Sequence, residues 1–266
     1  MKKISTILGM TLLYCVSTWA QGSCFLIYEE QTLLKQEGKD CNQRFAPQST
    51  FKIALSLMGF DSGILKDALH PEWPYKKEYE LYLNTWKYPH NPHSWIRDSC
   101  LWYSQVLTQQ LGMKRFKNYV DAFHYGNGDV SGDKGQNNGL THAWLSSSLA
   151  ISPLEQILFL QEIINKKLPL SQKAFTMTKD ILYIQELAGG WKLYGKTGNG
   201  RQLTKDQNQK LSLQHGWFVG WIEKDNRVIT FANHIADSKE KATFASFRVK
   251  NDTLNKLFYL INELEK

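Results

Sequence analysis

The segment Gln48-Ser49-Thr50-Phe51-Lys52-Ile53 constrains this chain more than any other, because it sets a hydroxyl and an amine three residues apart at the head of an apolar run. Phe51, Ala54, Leu55 and Met58 recur at helical spacing and Pro47 suits a helix start, so Ser49 is expected in or beside the first turn. Residues i and i+3 share a helix face, which lays Lys52 alongside the Ser49 hydroxyl. The positive end of the helix then faces any oxyanion formed there. The pattern alone is weak, since Ser131-Gly132-Asp133-Lys134 and Ser238-Lys239-Glu240-Lys241 repeat it in polar and charged surroundings. Only Ser49 heads an apolar helix. The competing reading is an N-cap serine followed by a surface lysine.

Ahead of that segment, Lys2 and Lys3, an apolar run from Ile4 to Val16 and then Thr18-Trp19-Ala20 read as a secretory signal, residues 1–20, cleaved after Ala20. The run is short for a membrane span, and no later stretch reaches the length one requires. Residues 21–266 are therefore expected as a single domain free of the membrane, periplasmic or secreted. A lipoprotein signal ending at Cys24 is disfavoured, because Gln21-Gly22-Ser23 lacks the expected aliphatic residue. Without Lys2 and Lys3, 30 basic residues face 25 acidic ones, a modest excess that suits an anionic substrate. The lysines are scattered and follow no groove-reading motif, so nucleic acid is not expected as a partner.

Phe25 to Tyr28 and Leu33 to Gln36 read as two strands around a turn near Glu30. That hairpin brings Cys24 toward Cys41, which an oxidising compartment can join; the alternative is two free thiols. Cys100, in an apolar run, is expected buried and inert. His90 and His93 are separated by prolines that prevent a helix from presenting both, so no metal site is expected. Ile96 to Leu111 carries a helical pattern containing Tyr103-Ser104-Gln105-Val106. Ser152-Pro153-Leu154-Glu155 is a capping box opening a helix to about Lys166. Trp191 to Lys196, His215 to Ile222 and Arg227 to His234 read as strands, and Leu254, Leu257, Phe258, Ile261 and Leu264 as an amphipathic closing helix. The whole is an α+β arrangement, an antiparallel sheet flanked by helices with an inserted all-helical lobe.

Gly190-Trp191-Lys192-Leu193-Tyr194-Gly195-Lys196-Thr197 satisfies the phosphate-loop formula, but its bulky interior and the following Gly198-Asn199-Gly200 cannot form a loop opening a helix. Read as a strand, Lys196-Thr197-Gly198 joins Ser49 and Lys52 in the set used for acyl transfer by penicillin-binding proteins and serine β-lactamases. Ser49-Thr50-Phe51-Lys52, Ser104-Gln105-Val106, Tyr125-Gly126-Asn127, Trp144-Leu145 and Lys196-Thr197-Gly198, in this order, resemble the class D β-lactamases across essentially the whole of 21–266. A class A enzyme would carry Ser-Asp-Asn at the second position, and no matching glutamate is present to activate water.

The resemblance implies a Ser49 acyl-enzyme on β-lactam substrates, with carbamylated Lys52 as the base for acylation and deacylation. Carbon dioxide or bicarbonate is then the one small molecule the site needs. Phe51, Val106 and Leu145 would desolvate Lys52, favouring the neutral amine that captures carbon dioxide. Trp144 and Ser49 would donate to the resulting anion. Ser104, linked to Lys196, would pass a proton to the leaving nitrogen. The backbone N–H groups of Ser49 and Asn199 would hold the oxyanion, and Thr197, Gly198 and Arg248 would bind the substrate. Arg248 is carried only by its place before the last helix, and a plain surface arginine is the other reading. Residues 200–214 are expected as a long polar loop, either influencing substrate choice or idle. A penicillin sensor that stays acylated and a non-catalytic binding module are the rivals. Oligomeric state is left open.

Overall fold

The computed structural model describes residues 23–204 and 209–266. The expected leader at 1–20 lies outside them. Strands β1 (Cys24–Glu29) and β2 (Thr32–Gly38) pair antiparallel through a tight turn in which Glu30 takes φ 51°. Gly38 closes opposite Cys24, and Cys24 is disulfide-bonded to Cys41 with 5.1 Å between their Cα atoms.

The chain then turns through Gln48–Phe51 into α1 (Lys52–Asp61) and crosses a helical lobe: α2 (Pro92–Arg97), α3 (Leu101–Leu111), α4 (Met113–Ala122), α5 (Gly139–His142), α6 (Pro153–Ile164) and α7 (Gln172–Leu182). It returns as β3 (Tyr183–Glu186), β4 (Lys192–Leu203), β5 (Lys210–Lys224) and β6 (Arg227–Ala236), and closes with α8 (Ala245–Leu264). The expected capping box starts α6: Ser152 Oγ accepts from Glu155 N, and the Glu155 carboxylate accepts from Ser152 N. Gly190–Thr197 runs into a strand, as its bulky residues required.

The sheet is six-stranded and antiparallel, in the order β2-β1-β6-β5-β4-β3. Side-chain alternation gives it two buried faces. Phe25, Ile27, Leu193, Phe218, Ile222 and Phe231 meet Val249, Leu257 and Ile261 of α8 on one side. Leu26, Trp217, Val219 and Trp221 join the larger core on the other, with α1 and the lobe. Helix α1 is buried on every face from Lys52 to Phe60, which is why its sequence is apolar there except at Lys52 and Ser56.

One expectation fails here. Residues 200–203 and 210–214 are strand rather than loop: Arg201 pairs with Gln214 and Leu203 with Lys210, so β4 and β5 stay paired this far out, while residues 205–208 lie outside the described residues. Polar side chains concealed the strand, because this end of the hairpin reaches beyond the core that would require apolar residues.

Candidate active site

The turn Gln48–Phe51 leads straight into α1, so Ser49 and Lys52 face one another as their spacing requires. Lys52 Nζ donates to Ser49 Oγ at 3.2 Å. Ser49 is half-buried, whereas Lys52 is 1% exposed. Among the described residues no carboxylate lies within ion-pair distance of its amine. Burial pulls the Lys52 amine down to about 8, against an ordinary 10.5. Its neighbour Cys100 supplies no compensating charge, since burial pushes that thiol up to about 12.

Strand β4 supplies the second wall. β3 pairs with it only as far as Tyr194, so from Lys196 onward its outer edge carries no strand and runs against the Ser49 turn instead. Gly198 makes that approach possible: a Cβ there would stand 2.9 Å from the Pro47 carbonyl oxygen. Lys196 is buried, and its amine donates to Ser99 Oγ at 3.1 Å and to the Thr197 carbonyl at 3.2 Å. Burial, with the charges of Lys52 and Lys250, holds it well below the ordinary lysine value. Among the described residues neither of these two buried amines has a carboxylate partner, and both give up a proton more readily than an ordinary lysine.

Beside Lys196 opens a cleft of about 350 Å³, lined also by Thr197, Lys250, Arg97 and His93. Lys250 lies over the Phe218 ring and has no ion-pair partner among the described residues. Arg97 is paired with Asp98.

The penicillin binding protein transpeptidase domain family matches residues 20–259. β-Lactamase OXA-9 of Klebsiella pneumoniae is 46% identical over 209 residues, covering 77% of this chain and 75% of that one. β-Lactamase OXA-1 of Escherichia coli is 40% identical over 235 residues, covering 87% and 82%. The crystal structure of OXA-427, a class D β-lactamase, superposes with a TM-score of 0.86 at 41% identity, covering 91% of this chain and 99% of that one. The chain belongs to the class D β-lactamases.

Within that family's frame, the expected second serine moves. Ser104 is buried on α3, and its Oγ accepts from Trp95 Nε1 at 2.9 Å; it does not meet Lys196. Ser99 does. It sits between α2 and α3 at φ 57°, so the pattern from Ile96 to Leu111 is two helices broken by one left-handed residue. The apolar residue two places beyond the serine moves accordingly, from the half-buried Val106 to the buried Leu101.

Arg248 differs too. Its guanidinium forks onto the nearly buried Asp237 at 2.9 and 2.6 Å, while Lys250 lines the cleft with Thr197. Asn199 accepts from Ser246 N at 3.0 Å, tying β4 to the start of α8. Tyr125 packs edge-on against Phe51, and Asn127 bridges Ser148, Asp129 and Ala150.

Trp144 stacks on Phe51, the residue before Lys52, with ring centroids 5.6 Å apart. Its indole Nε1 is buried without a hydrogen-bond partner. Leu145 beside it is half-buried against the same core. An orphaned buried N–H is costly. A buried amine with a lowered proton affinity and an unmatched donor suit an added acidic group on Lys52, so these residues fit a lysine carbamate.

Proposed function

We propose that this protein opens the amide bond of β-lactam antibiotics by acyl transfer to Ser49 and then hydrolyses the acyl-enzyme, the chemistry of β-lactam resistance. The observation that carries the reading is an accessible serine hydroxyl 3.2 Å from a fully buried amine that gives up its proton more readily than an ordinary lysine. Ser49 is the nucleophile. Carbon dioxide bound on Lys52 would supply an anionic base for both half-reactions, and Trp144 and Ser49 are the residues that would donate to it. The backbone N–H groups of Ser49 and Asn199 hold the oxyanion, and Gly198 lets the β4 edge come close enough. Ser99, bonded to Lys196, hands a proton to the departing ring nitrogen, the part the sequence alone assigned to Ser104.

Thr197 binds the substrate carboxylate, with the positive charge of Lys250 beside it. Arg248, engaged by Asp237, anchors the first turns of α8. Residues 1–20 are the leader of a catalytic domain at 21–266, exported to the periplasm or medium. The Cys24–Cys41 bond supports an oxidising compartment, and no helix among the described residues is long and apolar enough to cross a membrane.

Mass spectrometry of the purified chain mixed with benzylpenicillin tests this. A transient adduct on Ser49, absent from Ser49→Ala, is expected with ring-opened product accumulating. A permanent adduct without product would make the protein a penicillin sensor or penicillin-binding protein, and no adduct at all would remove the acyl-transfer reading.

A further inference from the structure

Gln48, immediately before the nucleophile, is 4% exposed and takes φ 53°, a left-handed conformation that a glutamine adopts only when its surroundings enforce it. Its backbone N–H donates to the Trp144 carbonyl at 3.0 Å. Its side chain lies along Gly200, where any Cβ would collide with the amide. Gln48 Nε2 reaches two partners, Ser146 Oγ at 2.6 Å and His215 Nε2 at 3.2 Å. The directions of these bonds follow from counting protons. Ser146 has one hydroxyl proton, and it goes to the Arg201 carbonyl at 2.6 Å, so Ser146 Oγ accepts from Gln48. The second amide proton of Gln48 then points at His215 Nε2, which accepts. His215 is left with its proton on Nδ1, which faces His234 Nε2 at 3.2 Å.

We propose that His215, as the neutral Nδ1–H tautomer, is a positioning residue for Ser49, acting through Gln48. The inference rests on Ser49 being the nucleophile. His215 and His234 are 2% and 0% exposed, and Phe45 stacks on His234 at 3.9 Å. Burial drives His215 down to about 4, so the acceptor at Nε2 persists across the working pH range. The imidazole pair on β5 and β6 thus reaches past β4 to hold the turn from which the nucleophile projects. Without the acceptor, Gln48 keeps its strained backbone but loses one of its two side-chain restraints, and Ser49 is no longer fixed against Lys52. Misplaced reacting groups lose rate while substrate affinity stays.

The test is pre-steady-state acylation by a chromogenic cephalosporin, with saturation separating binding from the acylation rate constant. His215→Phe keeps a ring and removes the acceptor; His215→Gln restores an acceptor oxygen at a similar reach. A roughly tenfold slower acylation at saturation is expected for His215→Phe, the loss of about one hydrogen bond's worth of restraint. Substrate affinity should not change, and His215→Gln should recover most of the rate. Gln48→Leu should slow acylation to the same extent, and the double variant His215→Phe/Gln48→Leu no further. Unchanged acylation in His215→Phe, or additive losses in the double variant, would overturn the proposal. If His215→Phe does not fold, the failure of His215→Gln to acylate normally while melting like the parent would do the same. A parent chain that forms no acyl-enzyme would instead remove the Ser49 reading itself.

Discussion

Replacing Lys52 by Met should stabilise the protein while abolishing its chemistry. The amine is fully buried at about 8 against an ordinary 10.5. At about 1.36 kcal/mol per pKa unit, that shift represents about 3 kcal/mol of destabilisation carried by the charged lysine at neutral pH. The sign follows from proton counting. Between pH 8 and 10.5 the unfolded lysine is protonated and the folded one is not, so unfolding takes up a proton and stability rises with pH through that window. Below the lower value the penalty is complete; above the upper it is gone. Met matches the lysine stem in length and needs no partner, and its substitution also relieves the repulsion on Lys196. Loss of the bond to Ser49 returns about 1 kcal/mol. The net gain is about 2 kcal/mol, which for a domain of this size raises Tm by about 4–8 °C. Thermal melts of both proteins in carbon-dioxide-free buffer at pH 7 and 10.5 measure it. A Lys52→Met variant that melts at or below the parent at pH 7, or whose gain persists undiminished at high pH, would refute the reasoning. Bicarbonate should raise the parent's Tm, because it binds only the folded lysine, and leave the variant unmoved.

Ser99→Ala should lower kcat by roughly a hundredfold with little change in Tm, whereas Ser104→Ala should retain activity and lose about 1–3 kcal/mol by stranding the Trp95 N–H. Chemical denaturation alongside steady-state kinetics separates the two serines, and the reverse outcome would return the proton role to Ser104. Lys250→Met should raise KM roughly tenfold for carboxylate-bearing penicillins and leave their methyl esters unaffected, read from initial rates at low salt. Cys24→Ser should cost about 3 kcal/mol, since the bond closes a loop across a sequence separation of 17, and the drop should match that of the parent under reductant.

Much of the fold was legible because period and burial agree. Phe51, Ala54, Leu55 and Met58 recur at helical spacing after Ser49, and the near-continuous apolar runs Phe25–Tyr28 and His215–Ile222 suit strands buried on both faces, a sheet between two layers. Ser99 was hidden for a physical reason. The apolar pattern of α2 runs almost in phase into that of α3, and nothing in Asp98-Ser99-Cys100 announces a left-handed residue, a conformation usually signalled by Gly or Asn. The helical reading therefore passed over the break and took the next serine along. The extended β4–β5 hairpin was missed because strands that leave the core need no apolar alternation. Arg248 was read from its place in the chain, and only the fold reveals that a buried Asp237 takes up its guanidinium. Gln48, the two histidines and Ser146 are ordinary polar residues scattered over 98 and more positions, and proximity in space alone makes them a network.

In the proposed mechanism a buried, carbon-dioxide-loaded Lys52 drives turnover through Ser49. Benzylpenicillin hydrolysis by the purified chain, measured in degassed buffer and again after bicarbonate is added, tests it most directly. Turnover that is slow when degassed and rises severalfold with bicarbonate, in the parent and not in Lys52→Met, is the predicted result. Turnover indifferent to bicarbonate, or a Ser49 adduct that persists in both buffers, would contradict it.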